Sequence, residues 1–70
     1  MSKTKTDLQK IEDIVLDLEN DAEGANEHSL STLYRSLAEI LCEECDDATT
    51  LKIMKAIKSR GGFLPWVKSS

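Results

Sequence analysis

Aromatic residues are scarce in this chain: one Phe, one Tyr and one Trp make up 4% of 70 residues. Proline occurs once, histidine once, cysteine twice and glycine three times. Each shortage closes off a class of protein. Cys42 and Cys45, in Cys42-Glu43-Glu44-Cys45, could close only a tiny loop, so a disulfide scaffold is excluded. With His28 as the sole imidazole and no second cysteine pair, one chain falls short of the four ligands of a structural zinc site. A dithiol redox centre would present its thiols at a helix N-terminus in a βαβ setting. Here they fall at a predicted helix C-terminus among Glu43, Glu44, Asp46 and Asp47, which disfavours the thiolate. One cysteine is expected to pack inward and the other to lie at the margin, with no metal and no cofactor.

No apolar stretch is long enough for a signal peptide or a membrane span, and the start, Met1 to Thr6, is polar. A cytoplasmic protein without membrane contact is expected. Neither an internal repeat nor a period-two alternation is present, which leaves no strand to predict. His28 has no serine-plus-acid companion and no glycine-framed nucleophile nearby, and the carboxylates fall mostly on a solvated helical face. The chain reads as a binding protein, not an enzyme.

What is present is charge, unevenly distributed. The net charge is −4, and all 13 acids lie within residues 1–47. Residues 48–70 carry Lys52, Lys55, Lys58, Arg60 and Lys68 without an acid. Either the basic third segment lies against the acidic first two, or one end meets a charged partner.

Helical periodicity is the other strong signal. Thr6 and Gln9 have the spacing of a capping box, and Leu8, Ile11, Val15, Leu18 and Ala22 then recur at threes and fours down one face. Ile14 widens this heptad seam, Leu16 lies off it, and Gly24 is the expected stop. Ser29 or Ser31 is placed to cap a second helix, whose face of Leu30, Leu33, Tyr34, Leu37, Ala38, Leu41 and Cys45 is wider. That width marks it as the central helix. Asp46 and Asp47 separate it from a third, built on Leu51, Ile53, Met54 and Ile57 and closed by Gly61.

These patterns predict an all-α fold: a small three-helix bundle with helices over roughly 6–23, 29–46 and 48–60, and a short non-helical aromatic C-terminal tail. Residues 1–5 are expected to be disordered, 6–60 to form the bundle and 61–70 the tail. A chain this short buries only about 60% of its unfolded surface, so a homodimer is expected, with Leu8, Ile11, Val15 and Leu18 as its self-association stripe.

The function expected on these grounds is that of a small regulatory or adaptor protein binding another protein through helical faces. Phe63, Trp66, Lys52, Lys55 and Lys58 are the candidate partner-binding residues. Two alternatives stand beside it: a nucleic-acid-binding protein using the basic third helix, and an acidic inhibitor that imitates phosphate. Four acids in the turn before the third helix, where a phosphate backbone would approach, weigh against the first. For the tail, the expectation is that it folds back to bury Trp66 against the open end of the bundle. Its alternative is an exposed Trp66 that anchors a partner.

Overall fold

The computed structural model describes residues 5–68, with the side-chain surroundings given through residue 67. The predicted disorder at 1–5 therefore falls, except for Lys5, outside the described residues. Three helices form the bundle: α1 (Asp7–Gly24), α2 (His28–Glu44) and α3 (Asp47–Ser59). A short α4 (Leu64–Lys68) follows them. No strand occurs among the described residues. The tail expected to be non-helical is thus helical at its end. Pro65 is its second residue, within the first turn, where an amide has no intrahelical partner to lose.

Local chemistry sets most of the boundaries. The Gln9 amide donates to Thr6 Oγ1 at 3.2 Å and the Thr6 amide to Gln9 Oε1 at 3.1 Å, completing the capping box. At α3 the Thr49 amide donates to Asp46 Oδ1 at 3.0 Å. Hydrogen bonds from Thr49 hold the Asp46 carboxyl below its usual pKa, and the cap is therefore a charged one near neutral pH. Ser29 and Ser31 do not cap α2. Its N-cap is Glu27, without a side-chain hydrogen bond, and both serines lie inside the helix. Gly24 likewise does not stop α1 but is its last residue; the left-handed residue is Asn26, at φ 61°.

The core is drawn from all three helices. Ile11, Val15, Leu18 and Ala22 of α1 are buried, with Leu30, Tyr34 and Ala38 of α2 and Leu51, Met54 and Ile57 of α3. Full burial of one such side chain stabilises the fold by about 1.5–3 kcal/mol. The central element is α1, not α2: it packs along both other helices, which share a shorter seam. The wide apolar face of α2 overstated its burial, since Leu33 on that face is 49% exposed. Along the α2–α3 seam, the fully buried Thr50 donates its hydroxyl to the Leu41 carbonyl at 3.0 Å, so its burial leaves no polar group unsatisfied. On the opposite flanks, Arg35 joins α2 to Glu12 and Glu19 of α1, and Lys58 joins α3 to Asp17. The basic third helix does lie against acidic α1, through that one ion pair among the described residues.

Candidate functional site

The chain leaves α3 through two glycines with left-handed backbones, Gly61 at φ 85° and Gly62 at φ 67°. Glycine adopts this conformation without the steric cost met by other residues. At Gly62 a second constraint applies: a Cβ there would stand 2.3 Å from Tyr34 Oη and 3.0 Å from Leu18 Cδ2. The backbone is pressed onto the buried tyrosine. Tyr34 Oη in turn accepts a hydrogen bond from the Phe63 amide at 2.8 Å, which satisfies the one polar atom of a fully buried ring. Phe63 stacks on that ring, with centroids 5.6 Å apart and planes inclined by 15°.

Anchored in this way, Leu64 and Val67 pack against the core from α4 while Pro65 and Trp66 face outward. Trp66 is 76% exposed, the most of any large apolar side chain among the described residues. A shallow depression of about 700 Å³ opens beside it, lined by Arg60, Gly62, Phe63, Pro65 and Trp66. The tail thus folds back as expected, but it is Phe63 that meets Tyr34 and closes the end of the bundle. The expectation of a buried Trp66 is overturned, because its neighbours on the short helix take the inward positions.

The remaining predicted residues divide. Lys52, Lys55 and Lys58 are all exposed on α3, and Lys58 is engaged at 3.3 Å by Asp17. Ile11, Val15 and Leu18 are 2%, 1% and 1% exposed within the chain's own core, so they offer no surface to a second copy. Leu8 alone of that stripe is open, at 51%. It stands at the mouth of a groove of about 280 Å³ between α1 and α2, floored by Val15, Ala38 and Cys42 and edged by Glu12, Arg35, Glu39 and Glu43. Both cysteines are free thiols and half-buried, with Cys42 against the core and Cys45 at the C-cap of α2. Among the described residues, no three His, Cys, Asp or Glu side chains gather as a metal site, and no helix is long and apolar enough to cross a membrane.

One surface escaped the sequence reading. Leu33, Leu37 and Ile40 follow one another at four and three residues on α2, with Leu33 and Ile40 49% and 57% exposed. The signal was available in Ile40, which completes a second apolar stripe beside the core face instead of joining it. Comparison of the chain with models of protein families, with characterised proteins and with solved structures finds no match.

Proposed function

We propose that this is a small cytoplasmic regulatory or adaptor protein that binds another protein through its C-terminal aromatic platform, and that it works as a homodimer. The observation that carries this reading is the 76% exposure of Trp66 on a segment whose other large side chains are tied to the core. A 70-residue bundle gains stability from every aromatic it buries, yet its one tryptophan faces outward. Tryptophan and arginine are the side chains most enriched where binding energy concentrates, and Arg60 lines the same depression. Because Tyr34 and Phe63 already hold the segment, a partner would have little tail entropy to overcome.

Fluorescence of this single tryptophan tests the reading directly. Free protein should emit at the red end of the tryptophan range and be readily quenched by iodide. A protein captured by affinity from cell extract should blue-shift that emission. Trp66→Ala should abolish capture while leaving the melting temperature nearly unchanged. Undiminished capture of the same partner by Trp66→Ala would refute the platform. Tight DNA or RNA binding with a steep salt dependence, lost on replacing Lys52 and Lys55, would instead move the function to α3.

A further inference from the structure

We infer that a second copy of this chain covers the outer face of the α2–α3 seam, with the two copies related by a twofold axis and α2 packed antiparallel against its counterpart. The inference rests on the dimeric part of the proposed function and shares only Arg60 with the aromatic platform.

The face is built by two rows. On α2, Leu33, Leu37, Ile40 and Glu44 are spaced by four, three and four residues; on α3 and its C-cap, Thr49, Ile53, Ala56 and Arg60 repeat the same spacing. Each row is therefore a single stripe of its helix. Both stripes lie on the side turned away from α1. Arg35, which reaches α1, is on the opposite flank of α2 from Leu33, and Lys58, which also reaches α1, is on the opposite flank of α3 from Ile53. Leu33 and Ile40 are about half exposed, and Leu37 and Ile53 are half-buried between them and the core. The middle of the face is thus apolar.

Its two ends carry opposite charge. The Thr50–Leu41 hydrogen bond fixes the start of α3 beside the end of α2, and the Tyr34–Phe63 bond fixes the chain beyond α3 beside the first half of α2. Glu44 therefore marks one end of the face, with the exposed Asp46 and Asp47 of the α2–α3 turn beside it, and Arg60 marks the other, level with Leu33. A twofold axis through the centre lays the acidic end of one copy over Arg60 of the other and brings the leucine–isoleucine stripes together. A self-complementary patch is what an isologous dimer requires, and like charges would meet if the helices packed in parallel. This charge arrangement, found within one chain, is what selects a second copy over an unrelated apolar helix. The face is one helix pair wide and about 17 Å long. It is smaller than the roughly 800 Å² per partner of a standard interface, so micromolar dissociation is expected.

Sedimentation equilibrium from about 1 μM to about 1 mM reads the outcome. The unaltered chain should pass from monomer to dimer within that range, and Ile40→Glu should weaken the dimer at least tenfold with its helical circular dichroism unchanged. Leu16→Glu, at an equally exposed position on α1, should have no effect. Glu44→Arg and Arg60→Glu should each weaken association, and the double variant should restore it, a rescue that misfolding cannot produce. A dimer indifferent to Ile40→Glu, or a double variant without rescue, would overturn this interface while leaving dimerisation standing. An unaltered chain that stays monomeric throughout would overturn the dimer as well, and stripe variants that then lost a captured protein would assign the face to that protein.

Discussion

Two turns in this molecule close by the same hydrogen bonds and yet make different demands on sequence. At the end of α1, the Glu27 amide donates to the Ala22 carbonyl at 2.8 Å and the Asn26 amide to the Glu23 carbonyl at 3.0 Å. At the end of α3, the Gly62 amide donates to Ile57 at 2.8 Å and the Gly61 amide to Lys58 at 3.0 Å. Both are Schellman closures, with the left-handed residue at Asn26 in one and Gly61 in the other. Asparagine suffices in the first because its short polar side chain tolerates the conformation and nothing crowds the turn. The second turn continues into Gly62, where the backbone meets Tyr34. Glycine is demanded there by tertiary approach, which the helix ending alone would not require.

Breaking that contact should give the largest effect. Gly62→Ala places a non-glycine residue at φ 67° and a methyl group against Tyr34 and Leu18, neither of which has room to move in the core. Left-handed strain and overpacking each cost about 1–3 kcal/mol, so a loss on the order of 3 kcal/mol is expected in urea denaturation. For a chain of this size that would leave a substantial unfolded population. Loss of less than about 1 kcal/mol would mean that the tail can swing away from Tyr34 at little cost.

Tyr34→Phe sharpens the same comparison with a gentler change. The ring remains to stack on Phe63, but the acceptor for the Phe63 amide disappears. A loss of about 1–2 kcal/mol is expected, with faster hydrogen exchange at the Phe63 amide and no change at Asn26 or Glu27 in the other turn.

What could be read in advance follows the same division between local and tertiary causes. The Thr6–Gln9 box, the Asp46 cap and the stripe from Ile11 to Ala22 were legible because each depends on residues within one or two turns. The order of packing was not. A wide apolar face on α2 suggested a central helix, but Leu33 and Ile40 widen it outward, and sequence does not distinguish core from outer stripe when they adjoin. The tail was misread for a related reason. Its apolar content predicted folding back, and Phe63, Leu64 and Val67 do pack inward, but which aromatic turns in depends on the Tyr34 hydroxyl some thirty positions earlier. The predicted self-association stripe failed because Ile11, Val15 and Leu18 already fill the intramolecular core. Ser29 and Ser31 are caps by residue type, but the Schellman bond from the Glu27 amide begins α2 ahead of them and leaves both inside the helix.

The first turn yields the smallest effect and one of opposite sign. Gly24 was the expected helix stop, but it lies within α1, its φ is not positive, and a Cβ built on it would meet nothing within 4 Å. Its glycine therefore serves neither the turn nor a close approach, and its extra freedom in the unfolded chain works against folding. Gly24→Ala should stabilise the protein by about 0.5–1 kcal/mol, since alanine is the better helix former and restricts the unfolded chain. Urea titration should show a higher midpoint with an unchanged slope, as befits a change in stability without a change in exposed surface. A lowered midpoint would place the true end of α1 at Gly24, and the difference between the two turns would then lie in glycine position instead of in the approach of Tyr34.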